Sequence, residues 1–166
     1  DPADPFHVDP QQVARGEALH REHCAVCHSP DGARFRTPIP VDEVGTDRHR
    51  VEMWTAEAAR RYNNYRDKGK DWGFSGFRDI DGYVAVPHSG LWLRAPYLHN
   101  GSVPTLRDML RAPEDRPEVF YRGYDVLDAE NGGFIADGPV AQRVGDRYDT
   151  RVPGNGNGGH RYGTDL

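Results

Sequence analysis

Two cysteines and a histidine in the stretch "CAVCH" have the types and spacing to do chemistry: Cys24, Cys27 and His28. A Cys-x-x-Cys pair also occurs in redox dithiols and as half of a zinc site. A redox dithiol follows a strand of a βαβ unit, however, and zinc needs further ligands at matching spacing. Neither context is present here. A histidine directly after the second cysteine is what haem attachment requires, because two thioethers hold the ring and the histidine ligates the iron. We therefore predict one covalently bound haem c with His28 as the proximal ligand.

The residue on the other side of the iron decides the chemistry, because an occupied position favours electron transfer and an open one favours reaction with peroxide or oxygen. The candidates with a free nitrogen or sulfur are His160, His99, Met53 and Met109. Met109 lies in a predicted helix and Met53 in the stretch "VEMWTAEAARRYNNYRD", which can form another, and methionine in a helix is usually core filler. His160 stands in "GNGNGGH", and glycines let a backbone approach a haem face closely. We rank His160 first and His99 second, and an open site stays as an alternative.

The remaining histidines have simpler interpretations. His20 and His23 precede the haem motif on its own helix, which holds them on the proximal side or in solvent. His7 belongs to an N-terminal tail, His49 is a solvated residue among charges, and His88 is a loop residue before a glycine.

The stretch "LWLRAPYLHNGS" gathers several side chains suited to the edge of a haem on one predicted loop. The two propionates of a buried haem attract arginine, tryptophan N–H and tyrosine O–H groups. The candidates are Trp92, Arg94, Tyr97 and His99, with Arg94 as the natural counter-charge. Each of them can also be an ordinary loop residue.

Three helices are predicted to position these residues, near 10–24, 55–66 and 105–111. Asp9 is a candidate N-cap followed by Pro10 at the first helical position, and this helix runs straight into the haem motif. Thr55 is the candidate cap of the second helix. Thr105 caps the third and pairs with Asp108, three residues later.

The composition fits one domain that needs a cofactor to complete its core. The chain has 166 residues, of which only 36% are hydrophobic, with 19 glycines and 13 prolines. A covalently held porphyrin would supply much of the missing apolar volume. We expect a tail over residues 1–8 and a single domain over 9–166. A polar insertion over 114–159 can contain a small hairpin between 114 and 150. The net charge of −5 argues against nucleic acid as a partner, and no apolar run reaches membrane-spanning length.

The segment "GYVAVPHSGLWLRAPYLHNGSVPTLRDML", from Gly82 to Leu110, resembles the haem domains of bacterial dihaem cytochrome c peroxidases and rubber oxygenases. The resemblance continues through "RPEVFYRGYDVLD" and "RYDTRVPGNGNGGHRYGTDL", and so covers most of residues 12–166. It implies a mostly α, class I cytochrome c-like fold with long irregular insertions. In that fold the distal ligand lies on a loop after the third helix, where His160 stands. The rubber oxygenases are similar in ending a bis-histidine haem domain this way, whereas in the peroxidases the equivalent of His99 is a structural or propionate-side residue.

This sequence departs from the family pattern at two points. Those relatives carry two haems, whereas this sequence has one haem motif. Their pattern also continues past "GTDL" into a C-terminal helix. We expect a single-haem, bis-histidine, low-spin carrier of single electrons. The alternatives are an enzyme domain that reacts with peroxide or oxygen, and a structural haem in an assembly. Covalent attachment occurs outside the cytoplasm, so we expect a periplasmic or extracellular protein. Asp1 begins no signal peptide, which indicates a mature chain or a domain of a larger exported protein. The expected partner is a redox protein or another haem subunit.

Overall fold

The computed structural model describes residues 9–65 and 76–166. Its helices in these ranges are α1 (Pro10–His23), α2 (Ala25–His28), α3 (Val41–Val44), α4 (His49–Glu52), α5 (Ala56–Asn63), α6 (Leu106–Met109) and α7 (Pro139–Val144). Short 3₁₀ turns cover Leu91–Leu93 and Pro113–Asp115. None of the helices in the described ranges combines the length and the apolar character that crossing a membrane requires.

The described strands form three small antiparallel pairs. They are β1 (Pro38–Pro40) with β2 (Gly82–Val84), β3 (Val119–Arg122) with β6 (Asp146–Asp149), and β4 (Leu127–Asp128) with β5 (Gly133–Phe134). Ile39 lies opposite Tyr83 in the first pair, and Phe120 lies opposite Tyr148 in the second. The first and second pairs join stretches that are far apart in the sequence.

The helix that leads into the haem motif begins where the sequence predicts. A side-chain oxygen of Asp9 accepts a hydrogen bond of 2.9 Å from the backbone N–H of Gln11, and Pro10 takes the first helical position. Cys24 keeps right-handed backbone angles, so α1 passes directly into α2. The predicted cap is confirmed. No residue of α1 is buried, so this helix contributes nothing to the hydrophobic core.

The two other predicted caps are also confirmed. The hydroxyl oxygen of Thr55 accepts from the N–H of Ala58 at 3.2 Å and starts α5. The hydroxyl of Thr105 accepts from the N–H of Asp108 at 3.1 Å and donates to its carboxylate at 2.6 Å. Both helices are shorter than predicted, and residue 66, the predicted end of the second, lies outside the described residues, as does the predicted tail.

The fold is less helical than the prediction of a mostly α domain. About 35% of the described residues are helical and 14% are in strands, so helix exceeds strand but loops and turns form the largest share. The predicted insertion over 114–159 contains β3 to β6 and α7, and its hairpin is the β4–β5 pair. The first strand pair, α3 and α4 were not predicted, because short elements of three or four residues carry little periodicity.

The buried hydrophobic residues form a small core. They are Ile39, Val41, Val51, Ala59, Tyr97, Val103, Phe120, Ala141 and Tyr148. Tyr97 and Val103 exchange two backbone hydrogen bonds, of 2.7 and 3.3 Å, across the loop between them. That loop therefore has a fixed shape, and it carries Asn100 and Ser102 towards the C-terminal part of the chain.

Candidate haem site

The proximal side of the site is built by α1 and α2. The N–H of Cys24 bonds the carbonyl of His20, and the N–H of His28 bonds the carbonyl of Cys24 at 3.0 Å. The ring of His28 donates from Nδ1 to the carbonyl of Val86 at 2.8 Å. That bond fixes the tautomer and leaves Nε2 available, which is the arrangement expected of a metal-ligating histidine.

The thiols do not have the environment of a zinc site or a redox dithiol. Cys24 and Cys27 are unpaired and half-buried. Burial raises the pKa of Cys24, and the neighbouring Cys27 raises it further. Zinc binding and thiol exchange both need a thiolate, which a raised pKa disfavours. Within the described ranges, no group of three or more His, Cys, Asp or Glu side chains could hold a metal ion. Thioether attachment needs no such group.

His160 faces His28 across a distance that suits one iron. A metal–imidazole bond is about 2 Å long and the ring centroid lies about 1.2 Å behind the bonded nitrogen. Two axial imidazoles on one iron therefore have centroids between about 6 and 6.5 Å apart. The centroids of His28 and His160 are 6.3 Å apart, with the ring planes inclined by 50°.

His160 is presented by a run of residues over 154–160, which we call the glycine loop. The N–H of His160 donates to the carbonyl of Val44 at 2.6 Å, and its φ of +47° is unusual for a residue with a side chain. A Cβ on Gly159 would lie 2.3 Å from the carbonyl carbon of Gly45. The close approach of the loop is thus made against the backbone of Gly45, and its approach to a haem face stays a prediction.

The His160 ring is prepared as a neutral ligand. Burial lowers its pKa, and the positive charges of His28 and Arg116 lower it further against the opposing effect of its own backbone. Its Nδ1 is buried and makes no hydrogen bond within the described residues. A buried polar atom without a partner is unfavourable, so the ring is not satisfied by protein contacts alone. The neutral imidazole is the form that binds a metal.

His88 belongs to the cluster, which the sequence did not indicate. Its ring centroid lies 3.7 Å from that of His28, and its Nδ1 shares a 3.2 Å hydrogen bond with Nε2 of His20. Burial lowers the pKa of His88 to about 4, and the charges of His28, His20 and His160 act in the same direction. A separation of 3.7 Å is too short for two axial ligands of one iron, so His88 does not compete with His160 in this arrangement.

The other predicted distal candidates lie in different surroundings. His99 stacks on Tyr83 with centroids 4.6 Å apart and ring planes inclined by 14°. Burial lowers the pKa of His99, and its Nε2 is buried without a hydrogen-bond partner in the described ranges. Met53 is 65% exposed, and Met109 is the last residue of α6. His7 lies outside the described residues.

The four residues predicted to contact propionates differ in burial. Tyr97 is buried, its hydroxyl donates to the carbonyl of Leu91 at 3.0 Å, and burial raises its pKa to about 12. Trp92 and Arg94 are exposed at the 3₁₀ turn. The Tyr97 hydroxyl therefore stabilises its own loop. Contact of Trp92, Arg94, Tyr97 and His99 with propionates stays a prediction.

Three polar residues that hold the glycine loop were not identified from the sequence. The side-chain amide of Asn100 donates to the carbonyls of Gly154 and Gly156 at 3.0 and 2.9 Å. The hydroxyl of Ser102, which is fully buried, donates to the same carbonyl of Gly156 at 3.0 Å. Arg116 is the third. Their only sequence signal is that Asn100, Ser102 and Arg116 all stand in stretches that carry the family resemblance.

The surface beside the cluster is apolar and exposed. Val26, between the two cysteines, is 48% exposed, and Val86, whose carbonyl holds His28, is 53% exposed. Two cavities in the described ranges, of about 90 and 190 Å³, are lined by other residues. A porphyrin at the cluster would cover an open apolar surface. The thiols, the free Nε2 of His28, the spacing to His160 and this surface fit a haem.

Comparison with known proteins indicates a cytochrome c-like domain. Residues 82–121 match the family described as RoxA-like, cytochrome c-like. The chain is 33% identical over 186 residues to "Uncharacterized protein y4iM" of Sinorhizobium fredii (strain NBRC 101917 / NGR234), which covers 94% of this chain and 42% of that protein. It is 39% identical over 80 residues to "Uncharacterized protein y4iJ" of the same strain, which covers 48% of this chain and 13% of that protein.

The chain thus spans less than half the length of the curated relatives it matches. The family match supports a cytochrome c-like domain related to RoxA, and with it a haem-binding cytochrome. The matched segment contains Asn100, Ser102 and Arg116, the three side chains that hold the glycine loop.

Proposed function

We propose that this domain carries single electrons through one covalently bound haem c with His28 and His160 as axial ligands. The observation that supports the proposal most directly is the 6.3 Å separation of the two rings. The similarity to RoxA-like, cytochrome c-like domains supports the haem itself.

Each residue has a distinct part in the proposal. Cys24 and Cys27 hold the ring through thioethers, and the carbonyl of Val86 keeps His28 in the tautomer that ligates through Nε2. The half-buried His160, whose pKa is lowered mainly by desolvation, takes the opposite side as a neutral imidazole. The haem supplies the one-electron couple of its iron. Two imidazoles retained in both oxidation states limit reorganisation and favour a lower potential than histidine–methionine ligation.

The same arrangement disfavours an enzyme that reacts with peroxide or oxygen. Such chemistry needs an open iron position and polar groups arranged around it. A half-buried His160 at the axial distance would close that position. Of the side chains that could polarise a bound oxygen, the Tyr97 hydroxyl donates to the carbonyl of Leu91 and Arg94 is exposed.

The proposal includes an exported protein and a redox partner. Covalent haem attachment takes place outside the cytoplasm, which places the domain in the periplasm or outside the cell. Because the relatives are more than twice as long as the aligned part, the partner can be another haem of a longer chain or a separate redox protein.

The assignment of His160 is tested by replacing it. The holo-protein should have a low-spin ferric spectrum without the sulfur-to-iron band of methionine ligation. His160→Ala should give a high-spin haem that binds cyanide and has a changed potential. His99→Ala is the matched control and should stay low-spin, because that ring is stacked on Tyr83. A His160→Ala variant that stays low-spin with an unaltered potential would show that the assignment is wrong and make His99 the first candidate.

A further inference from the structure

Arg116 is a buried cation surrounded by backbone carbonyls. It is 4% exposed. Nη1 of its guanidinium donates to the carbonyls of Asn157 and Gly159 at 2.7 and 2.9 Å. Nη2 donates to the carbonyls of His160 and Met109 at 3.2 and 3.4 Å. Three of these four acceptors belong to the glycine loop, and one of them is His160 itself.

Burying the charge of an arginine in this environment is energetically unfavourable. Burial lowers the pKa of Arg116, and the charge of Arg161 acts in the same direction. Within the described ranges no carboxylate lies at ion-pair distance from Arg116. The charges of Asp108 and Glu114 oppose the shift only at longer range. A buried charge whose only close acceptors are neutral carbonyls contributes little net stability. The presence of Arg116 is therefore better explained by the positions in which it holds these carbonyls than by a gain in the free energy of unfolding.

Hydrogen bonds hold the peptide groups on both sides of the His160 α-carbon. The N–H of His160 is held by the carbonyl of Val44, and its carbonyl is held by Arg116. The carbonyl of Gly159, directly before it, is also held by Arg116. His160 has a left-handed backbone, which a residue with a Cβ keeps only when its neighbours impose it. These bonds fix where the side chain leaves the loop.

We propose that Arg116 is a positioning residue that keeps the His160 ring directed at the iron. This inference rests on the proposed function, in which His160 is the distal ligand. The guanidinium reaches three carbonyls of the loop from two nitrogens held in one rigid plane, a geometry that a compact ammonium group does not have. A lysine at the same place has the charge without the fork, so it would hold fewer carbonyls and let His160 leave the iron more often.

The rate of cyanide binding to the ferric holo-protein tests the inference, because cyanide binds only after His160 has dissociated. Arg116→Lys should accelerate binding by about tenfold or more, the effect of losing one charge-assisted hydrogen bond. Arg116→Gln, which also removes the charge, should accelerate it further and lower the low-spin fraction. The matched control is Arg161→Lys, next to His160. Its guanidinium pairs with the exposed Glu114, so the rate should change by less than about twofold.

Two further measurements separate the possible failures. In a His160→Ala background, Arg116→Lys should cause no additional acceleration, because Arg116 acts through His160. Saturating free imidazole should restore a low-spin spectrum in Arg116→Gln. If both Arg116 variants bind cyanide at the wild-type rate, or if imidazole cannot restore the spectrum, the inference is overturned. If His160→Ala alone leaves rate and spin state unchanged, it is the distal-ligand assignment that fails.

Discussion

The two proposed axial histidines differ in what holds them. His28 follows its cysteines along α2, and one hydrogen bond, to the carbonyl of Val86, sets its tautomer. Within the described residues His160 makes no such ring contact at Nδ1 and depends on its backbone for direction. The proposed proximal ligand is thus fixed through its side chain and the proposed distal ligand through its main chain. Substitutions near His160 should therefore act by moving the loop, and substitutions near His28 by changing the ring itself.

The cysteines give a prediction of their own at this scale. Cys24→Ala or Cys27→Ala should weaken covalent haem retention, and the double variant should abolish it, because each thioether uses one sulfur. The chain contains only these two cysteines, so no other thiol can replace them. Haem staining after denaturing electrophoresis measures the effect. Full retention in the double variant would contradict attachment at this motif.

At the scale of elements, the glycine loop reaches His28 only because one glycine packs against another. Gly159 has φ of +76°, and the nearest atoms to a Cβ built there are the backbone of Gly45 and Thr46, at 2.3 to 2.5 Å. Gly45 in turn ends α3 with a left-handed backbone. The short α3 therefore serves as the support on which the loop lies.

Gly159→Ala should consequently displace the loop. The left-handed backbone alone costs a residue with a Cβ about 1–2 kcal/mol, and the overlap with Gly45 adds to it. We expect a lower urea midpoint together with a smaller low-spin fraction. Gly158→Ala is the matched control, since the nearest atom to its Cβ would be 3.9 Å away. Equal stability and equal spectra for the two variants would contradict this account of the loop.

At the scale of elements, the sequence predicted only those features that depend on residues close together in the chain. The caps at Asp9, Thr55 and Thr105 were predictable because each bonds a backbone N–H two or three residues away. The pairing of β1 with β2 was not, since it joins residues more than forty positions apart through two short strands, and β1 contains two prolines. Long-range pairing of such strands leaves no periodic pattern to recognise.

The site residues also divide into those with a local sequence signal and those brought together only by the fold. Cys24, Cys27 and His28 form a contiguous motif, and His160 was suggested by its glycines and by the resemblance. The close contact of the His88 and His28 rings brings together residues sixty positions apart, and three of the four hydrogen bonds of Arg116 span more than forty. His88 lies in a loop and Arg116 is followed by a proline, so neither has a local sequence pattern that predicts such contacts. Their contacts are therefore evident only in the folded structure.

For the molecule as a whole, α1 is the part that depends most on the haem. The buried hydrophobic residues lie between Ile39 and Tyr148, and none belongs to α1. An isolated helix of this length is marginal in water. With the cysteines bonded to a porphyrin that is also ligated by His160, α1 would be tied to the C-terminal part of the chain. A ligand that binds only the folded state stabilises it in this way.

The rate of amide hydrogen exchange in the haem-free protein should therefore differ between α1 and the β3–β6 pair. In the Cys24→Ala, Cys27→Ala double variant, the amides of α1 should exchange almost as fast as in an unfolded peptide. The amides of the β3–β6 pair should stay protected, because Phe120 and Tyr148 are buried and stacked at 5.1 Å. In the holo-protein both regions should be protected. Mass spectrometry of peptides from the two regions makes the β3–β6 peptides an internal control. Equal protection of α1 with and without haem would mean that protein contacts hold this helix, and the haem would then have no part in completing the fold.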